Sequence, residues 1–306
     1  MIALRKPLMT TSATARETDP KDFVPDLHLL GIREVIYKTA GIFQPDHKLH
    51  MLDARCTLRM KELGIGLLRD YLQHLTQSNG QAETTILLNE IIVGETRFFR
   101  GMPQLDAFRK IVVPKLVTAK STAAGRTLKI WSAGCSTGEE AYTLAILLLE
   151  ASSLLQGWTC SVLATDLNES SVEHARNGIY AENSTRNLPP LIRQKYFVKD
   201  AGGLSVGPQV RALTSFRHLN LLDGRHMSAI VKTDVIFCRN VLIQFDMASK
   251  ARVIEHFHNS LSPAGVLFLG HAESLFGVTN NFSLLHMPSV TAYEKAETQL
   301  PKRPLL

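Results

Sequence analysis

The first third of the chain repeats apolar residues at intervals of three and four positions. The segments "LHLLGIREVIYKTAGI" and "KLHMLDARCTLRMKELGI" show this spacing, and "GLLRDYLQHLTQS" continues it, with glycine near the segment ends. Such spacing places apolar side chains on one face of an α-helix. The alternation of period two that indicates a strand does not occur in this part of the sequence. The pattern therefore predicts a small all-helical domain over residues 22–90.

Beyond a linking segment at 91–126, short apolar runs alternate with amphipathic segments. The runs "TLKIWSAG", "SVLATD", "TDVIFCRN" and "VLFLG" have the length of buried strands. Three helix-like segments lie between these runs: Gly138 to Leu155, "NESSVEHARNG" and "DMASKARVIEHFHNSL". Asn168 can cap the second of them. This alternation predicts an α/β domain over 127–295, with a largely parallel, Rossmann-like sheet covered on both faces.

Residues 178–216 interrupt the alternation. The pieces "KYFV", "LSVG" and "VRALTSF" are β-like and are separated by Gly-Gly and Gly-Pro. They predict a small antiparallel β-subdomain, inserted between the second and third strands of the main sheet. The polar segments 1–21 and 296–306 are expected to be tails outside the folded domains.

Composition and charge narrow the class of protein. The 306 residues are 45% hydrophobic and 20% charged, as in a soluble globular protein. No apolar run approaches the roughly 18–20 residues that cross a bilayer, so membrane insertion is not expected. Four scattered cysteines without CxxC spacing argue against a metal site or disulfides and favour the cytoplasm. The net charge of +6 arises in 91–130, which favours an acidic partner surface, although a solvated connecting helix explains it equally well.

The stretch "WSAGCSTGEEAY" admits two interpretations. Gly134 to Gly138 has the G-x-S-x-G form of a hydrolase nucleophile elbow, with Ser136 as the nucleophile. A hydrolase also needs strands and an oxyanion loop before the elbow and a catalytic histidine after it. A long, mainly helical region precedes this turn, and only His271 in "LGHAES" is a tempting downstream histidine. The hydrolase interpretation is therefore disfavoured.

The second interpretation is a glycine loop that holds a cofactor between a strand and a helix. Glycines let the backbone approach a ligand, and the start of the helix offers free N–H groups. Asp166, which closes "SVLATD", stands where an acid would bind ribose hydroxyls. Glu139 and Glu140 would repel a pyrophosphate but suit a cationic cofactor. S-adenosylmethionine, a sulfonium with a ribose and no phosphate, therefore fits better than NAD.

An ordered set of motifs resembles one known family. The runs "ETRFFR", "IWSAGCSTGEEAY", "ATDLN", "FRHLNLL", "IFCRNVLIQF" and "LSPAGVLFLGHAESL" are similar, in that order, to those of CheR-type chemotaxis receptor (protein-glutamate) O-methyltransferases. The resemblance implies S-adenosylmethionine-dependent methylation of glutamate side chains on the cytoplasmic domain of methyl-accepting chemoreceptors, with S-adenosylhomocysteine as the other product. It also implies a helical N-terminal domain and a β-subdomain that corresponds to 178–216.

The resemblance also implies a set of site residues. The cofactor-binding set is Thr96, Arg100, Gly134, Glu140, Asp166, Asn220, Leu221, Arg239 and Asn240. Glu140 would meet the amino-acid part of the cofactor and Asp166 its ribose, while Asn220 and Leu221 would border the adenine. Arg100 would also aim the acceptor carboxylate, because arginine binds carboxylates through two parallel hydrogen bonds.

Two positions depart from the family pattern. Gln244 stands where relatives usually carry a tyrosine near the transferred methyl group, so it joins Arg100 as a candidate catalytic residue. Gly94 stands where many relatives have asparagine. Glutamine keeps a hydrogen-bonding group but lacks the phenol. This change motivates an alternative hypothesis: a non-catalytic chemosensory module that binds S-adenosylmethionine or S-adenosylhomocysteine.

The partner surface is expected on the helical domain. Arg55 and Arg59 resemble the family's basic strip that docks on acidic receptor helices, although a solvated face explains them nearly as well. The β-subdomain is short, so tethering of a receptor peptide by strand addition is not expected. Methylation of RNA or a small molecule is a third hypothesis, but no RNA-binding signature accompanies the basic segment 91–130. We expect a monomer without a nucleic-acid partner.

Overall fold

The computed structural model describes residues 23–92, 94–121, 126–186, 188–287 and 289–296. The N-terminal part folds into helices α1 (Leu27–Ala40), α2 (Leu49–Leu63), α3 (Leu68–Thr76) and α4 (Gln81–Ile91). Asp26 caps α1 by accepting a hydrogen bond from the backbone of His28, and α1 ends at Gly41 in the left-handed conformation. The apolar faces of the four helices bury one common core, which includes Leu29, Ile32, Ile36, Leu52, Tyr71 and Leu87. The helical domain predicted from the spacing is present.

The segment that was expected to link the two domains is in large part a packed helix. It comprises α5 (Met102–Ala107), a π-helical turn at Phe108–Val112, and α6 (Val113–Lys120). Its buried side chains belong to the core of the sheet domain, and Phe108 packs edge-to-face on Phe237 at 5.4 Å. Residues 102–120 are therefore not a linker in the usual sense.

Two lysines of this helix pair with acids of the sheet domain. Lys120 Nζ lies 2.9 Å from Asp234 Oδ2, and Lys115 Nζ lies 2.6 Å from Glu294 Oε1. Part of the local positive charge thus attaches this helix to the sheet domain, which supports the connecting-helix interpretation.

The rest of the chain contains ten strands and further helices among the described residues. The strands are β1 (Thr127–Ala133), β2 (Thr159–Asp166), β3 (Ile179–Tyr180), β4 (Phe197–Asp200), β5 (Gly203–Val206), β6 (Thr214–His218), β7 (Thr233–Cys238), β8 (Leu261–Leu269), β9 (Phe282–Leu284) and β10 (Ala292–Lys295). The helices are α7 (Glu139–Glu150), α8 (Glu169–Asn177), α9 (Glu182–Thr185), α10 (Pro190–Tyr196), α11 (Pro208–Arg211), α12 (Gly224–Met227) and α13 (Met247–Ser260).

The main sheet has seven strands in the order β6-β2-β1-β7-β8-β10-β9. The first five of these strands are parallel to one another, and β10 is antiparallel to both of its neighbours. Successive side chains of β1 enter different cores: Leu128 and Ile130 belong to one, and Trp131 and Ala133 to the other. The sheet is therefore covered on both faces, which confirms the predicted Rossmann-like fold.

The inserted subdomain is smaller than the sequence suggested. Strands β3, β5 and β4 form an antiparallel sheet of three strands, as expected. The piece "VRALTSF" is not part of it: Val210 lies in α11, and Thr214–His218 is the edge strand of the main sheet, parallel to β2. The prediction of 178–216 was wrong at this end, because a short edge strand and an inserted strand have the same local pattern.

The predicted tails lie outside the described residues, apart from residue 296. Within the described part of the chain, no helix combines the length and the apolar character that crossing a bilayer requires.

Candidate functional site

A cavity of about 300 Å³ lies at the carboxyl ends of the central strands, beside the helical domain. Because β1, β2, β6 and β7 run parallel, the loops that follow them meet at this edge, where open α/β sheets bind ligands. The structure brings all ten sequence-derived site residues to the cavity wall: Thr96, Arg100, Gly134, Glu140, Asp166, Asn220, Leu221, Arg239, Asn240 and Gln244.

Asp166 is a nearly buried acid at the end of β2, with 8% of its surface exposed. Its Oδ2 accepts a hydrogen bond from the backbone of Ser136 at 2.7 Å, and its Oδ1 accepts one from the backbone of Asn168 at 2.8 Å. Burial raises the pKa of Asp166, although these hydrogen bonds oppose the increase. A carboxylate oxygen can accept more than one hydrogen bond, so each retains capacity for a ligand hydroxyl in the cavity.

Glu140 and Arg239 form an ion pair in the cavity wall. Glu140 Oε2 lies 2.7 Å from Arg239 Nε, and Glu140 Oε1 accepts a hydrogen bond from Ser132 Oγ at 2.6 Å. The two side chains are 11% and 7% exposed. Arg239 also donates to the carbonyl oxygen of Arg100 at 2.7 Å. The pair therefore connects the start of α7, the end of β7 and the segment before α5.

The other acid of the pair at the start of α7 lies away from the cavity. Glu139 is buried and accepts a hydrogen bond from Thr137 Oγ1 at 2.6 Å. Burial raises the pKa of Glu139. The two adjacent acids point in different directions because consecutive residues on a helix are about 100° apart. Only Glu140 contributes to the cavity wall.

The hydrogen bonds of Ser136 stabilise the loop and do not activate its hydroxyl. It lies in the left-handed region with φ 48°, its N–H binds Asp166, and its hydroxyl donates to the carbonyl oxygen of Gly94 at 3.2 Å. Among the described residues that line the cavity there is no histidine, and His271 is exposed outside it. Ser136 therefore lacks the general base that a hydrolase nucleophile requires, and the hydrolase interpretation fails.

The helical domain provides one wall of the cavity. Asn220 Nδ2 donates to the carbonyl oxygen of Thr39 at 2.9 Å, and its Oδ1 accepts a hydrogen bond from the backbone of Leu222. Tyr37 Oη donates to Asp246 Oδ2 at 2.9 Å, which attaches α1 to the start of α13. The side chain of Asn220 thus connects the two domains, in addition to lying at the cavity. The sequence contained no signal for these contacts, because the partners are far apart along the chain.

Arg100 and Gln244 line the same cavity from different segments, one before α5 and the other after β7. Arg100 is half-buried and donates one hydrogen bond to the carbonyl oxygen of Glu95. The backbone of Gln244 is fixed by a hydrogen bond from Phe43 N to its carbonyl oxygen at 2.9 Å. Its half-buried side chain borders both this cavity and a second groove of about 500 Å³, which runs along α2 past Met51 and Arg55. Gln244 therefore stands where the two spaces meet.

Glu273 is a structural element of the site that sequence analysis missed. Its buried carboxylate accepts hydrogen bonds from the backbone N–H groups of Asn240, Ile243 and Gly270. Asn240 and Ile243 belong to the cavity wall, whereas Glu273 lies behind it. The available sequence signal was the acid of "LGHAES", which follows the predicted strand "VLFLG" and so lies near neighbouring strand ends.

The two arginines proposed as a docking strip differ in environment. Arg59 binds both oxygens of Glu83, at 2.9 and 2.7 Å, and its side chain is 13% exposed. Tyr71 donates to the same carboxylate at 2.8 Å. Arg59 therefore stabilises the helical core, and its expected availability for docking was wrong. Arg55 is 39% exposed, 3.5 Å from Glu90, and borders the groove along α2.

Comparison with known proteins agrees with this architecture. Residues 28–92 match the family model of the CheR methyltransferase all-alpha domain, and residues 94–291 match that of the CheR methyltransferase SAM binding domain. The chain is 34% identical to a chemotaxis protein methyltransferase of Klebsiella aerogenes, over 90% of this chain and 95% of that protein. It is 31% identical to chemotaxis protein methyltransferase 2 of Vibrio cholerae, over 89% and 94%.

A third relative shows the same extent of similarity. The chain is 33% identical to the chemotaxis protein methyltransferase of Escherichia coli, over 85% of this chain and 88% of that protein. The two family models together cover both structural domains and meet where α4 ends and the segment before α5 begins. This chain belongs to the CheR methyltransferase family.

Proposed function

We propose that this protein transfers the methyl group of S-adenosylmethionine to glutamate side chains on the cytoplasmic domains of chemoreceptors. The observation that carries the proposal is the placement of Asp166 and Arg100 on one cavity. One supplies an acid for the hydroxyls of a cofactor, and the other supplies a cation for an anionic acceptor. The names of the relatives, which are chemotaxis methyltransferases, support the same activity and the same kind of partner.

The residues present fit S-adenosylmethionine. The lining carries the acids Glu95, Glu140 and Asp166 against the two arginines Arg100 and Arg239. Since Arg239 is neutralised by Glu140, the cavity suits a ligand with a positive charge and hydroxyl groups better than a phosphate. Asp166 would hold the ribose hydroxyls, and the wall near Glu140 would face the amino-acid part. When bound, S-adenosylmethionine supplies an electrophilic methyl group on a sulfonium.

The residues of the chain would then align the acceptor and exclude water. A glutamate side chain has a pKa of about 4.3, so it is ionised at neutral pH and needs no general base. Arg100 uses one of its five N–H groups on Glu95, which leaves the others for an acceptor carboxylate. Gln244, at the junction of the cavity and the groove, would donate its amide N–H to the same acceptor. The reaction neutralises two charges, so a water-poor site favours it.

The groove along α2 is the proposed approach for the receptor. It opens next to Gln244 and carries the half-exposed Arg55 together with Lys48, which suits an acidic surface. Arg55 is therefore retained as a candidate docking residue, whereas Arg59 is not.

Incubation with S-adenosylmethionine labelled in the methyl group tests the proposal. With purified receptor cytoplasmic fragments, labelled methyl groups should appear on the receptor and be released by mild base, as expected for glutamyl methyl esters. An Arg100→Lys variant keeps the charge but lacks the bidentate geometry, so it should methylate the receptor fragments at a reduced rate. Label that is stable to base, or no label on a broad set of receptors, would count against glutamate as the acceptor.

The non-catalytic alternative is not favoured. It was motivated by Gln244, but the chain is similar over most of its length to proteins named methyltransferases, and the arginine proposed for acceptor binding is at the cavity. A glutamine at this position retains a hydrogen-bond donor for the acceptor.

A further inference from the structure

The segment that follows β7 forms much of one wall of the cavity but has little regular structure. Its cavity-lining residues are Arg239, Asn240, Val241, Ile243, Gln244 and Phe245. Its regular structure is limited to a 3-10 turn at Leu242–Gln244. Asn240 adopts the left-handed conformation with φ 61°. Asparagine tolerates this conformation better than most residues other than glycine, and here its backbone N–H is held by a neighbouring carboxylate.

The carboxylate of Glu273 holds this segment from behind. Glu273 Oε2 accepts hydrogen bonds from Asn240 N at 2.9 Å and from Gly270 N at 2.6 Å, and Oε1 accepts one from Ile243 N at 3.2 Å. Cys238 and Leu269, which end β7 and β8, are paired in the sheet. Glu273 therefore ties together the two chain segments that leave neighbouring strands.

A carboxylate at this position is costly unless it performs such a role. Glu273 is 5% exposed, and its hydrogen-bond partners are backbone N–H groups. Removing an ionised group from water is unfavourable unless its oxygens are hydrogen-bonded, so an apolar side chain would serve better if the position were needed only for packing. The three hydrogen bonds offset that cost by fixing backbone that would otherwise lack partners.

The geometry also explains a glycine. A Cβ on Gly270 would lie 2.6 Å from Glu273 Oε2 and 2.8 Å from Asn240 N. Both distances are too short for real contacts, so any larger residue would push the carboxylate away from the segment after β7. Glycine at the end of β8 permits the close approach.

We propose that Glu273 is a positioning residue for the methyltransferase site. It does not line the cavity, but its carboxylate sets the conformation of residues 240–243 and thereby directs Asn240 and Gln244 into the cavity. The proposal rests on the proposed function in taking S-adenosylmethionine as the cofactor of this site. Its effect on cofactor binding does not depend on which acceptor is methylated.

The test compares Glu273→Gln with a matched variant, Asp234→Asn. A carboxamide has a single oxygen, and its NH₂ group would oppose one of the backbone N–H groups. Asp234 is also a buried acid of this sheet and also accepts a backbone hydrogen bond, from Lys129, but it lies at the opposite end of β7 from the cavity. The probe is S-adenosylhomocysteine, titrated by calorimetry, together with amide hydrogen exchange of residues 240–243 in the free protein.

Glu273→Gln should weaken S-adenosylhomocysteine binding about 10- to 100-fold, because a shift of residues 240–243 moves the side chains that line the cavity out of position. Exchange at residues 240–243 should become faster, since their hydrogen bonds open more easily. Asp234→Asn should lower the melting temperature while its affinity stays within about twofold of wild type, because its carboxylate is remote from the cavity. Gly270→Ala perturbs the same carboxylate without removing it and should reproduce the Glu273→Gln result.

Several results would overturn the proposal. One is a folded Glu273→Gln protein with wild-type affinity and wild-type exchange at 240–243, and another is an equal loss of affinity in Asp234→Asn. Failure of both Glu273→Gln and Gly270→Ala to fold, with Asp234→Asn folded, would make Glu273 a stability determinant and would also defeat it. A wild-type protein that binds S-adenosylhomocysteine but esterifies no receptor would refute the proposed acceptor and leave the role of Glu273 intact.

Discussion

Arg239 Nε lies 2.7 Å from Glu140 Oε2 in the wall of the cavity, and both side chains are nearly buried. Ser132 donates to the second oxygen of the same carboxylate. The charge of Glu140 is therefore already balanced within the protein. Asp166 differs, because its hydrogen-bond partners are backbone N–H groups and no arginine or lysine of the described residues forms an ion pair with it. Of the two acids, Asp166 is the better candidate for the principal cofactor contact.

Glu140→Gln should destabilise the protein by about 3–5 kcal/mol, since removing one partner leaves the other charge buried and uncompensated. The measurement is the free energy of unfolding from denaturant titration. Glu150→Gln is the matched control: it makes the same change at the other end of α7, where the acid binds the exposed Lys195, and should cost less than about 1 kcal/mol. Adding Arg239→Met to Glu140→Gln should recover part of the loss. Strictly additive effects of the two substitutions would show that the pair is not coupled.

Cofactor affinity should fall on acidification through the ionisation of Asp166. Burial raises the pKa of this group above its ordinary value of 3.8, so the folded protein binds its proton more tightly than the unfolded chain does. Between these two pKa values, stability decreases as pH rises, and the ionised acceptor needed for ribose hydroxyls is lost as pH falls. Calorimetry at decreasing pH should therefore show weaker S-adenosylhomocysteine binding before pH 3.8 is reached.

Asp166→Asn should bind more weakly at neutral pH and lose this pH dependence. Asp223→Asn serves as the control, because Asp223 caps the short helix α12 and lies outside the cavity lining. It should retain the wild-type profile. An identical pH profile in wild type and Asp166→Asn would assign the titration to another group.

Substitutions of Arg59 and Arg55 should have different effects, the first on the free energy of unfolding and the second on receptor docking. Arg59→Met removes the partner of the buried Glu83. Burial alone would raise the pKa of Glu83, but the hydrogen bonds from Arg59 and Tyr71 lower this pKa overall. The variant should lose about 3 kcal/mol or more of unfolding free energy. Arg55→Met should leave stability within about 0.5 kcal/mol and reduce the methylation rate at low salt, because a partly exposed charge acts mainly on association. Equal stability losses in the two variants would contradict this assignment.

Gln244→Tyr restores the residue that relatives usually carry and should raise the turnover number. Affinity for S-adenosylhomocysteine should change less than about threefold, because the proposed place of this side chain is the acceptor side of the cavity. Steady-state kinetics with receptor fragments and calorimetry of the same preparation give the two quantities. A variant with unchanged turnover and much altered affinity would place residue 244 on the cofactor side.

The sequence predicted the elements whose signals are local. Period-three and period-four spacing predicted the helical domain, and the alternation of apolar runs with amphipathic segments predicted the parallel sheet. The cap of α8 by Asn168 was expected from its position before the helix, and its side chain accepts a hydrogen bond from Ser171 N. The errors were also local: the pattern of Thr214–His218 does not reveal which sheet it joins, because pairing with β2 is a contact over long sequence separation.

The candidate site was predicted as a set of residues but not as a network. The family resemblance implied the ten residues, and the structure places all of them on one cavity, most of them at strand ends that converge in a parallel sheet. The sequence did not reveal that Glu140 is paired with Arg239 or that Glu139 points away from the cavity. It also did not reveal that Arg59 forms an ion pair with Glu83. Each depends on side-chain direction and on a partner remote in sequence. Glu273 was missed for the same reason: its three hydrogen-bond donors lie in two segments, one after β7 and one after β8.

Calorimetric titration of S-adenosylhomocysteine into the wild-type protein and into Asp166→Asn tests the central claim most directly. The account predicts one-to-one saturable binding to the wild type and a large loss of affinity in the variant, with both proteins folded to the same extent. Absence of binding by either S-adenosylmethionine or S-adenosylhomocysteine to the folded wild-type protein would contradict it, as would equal affinity in the two proteins.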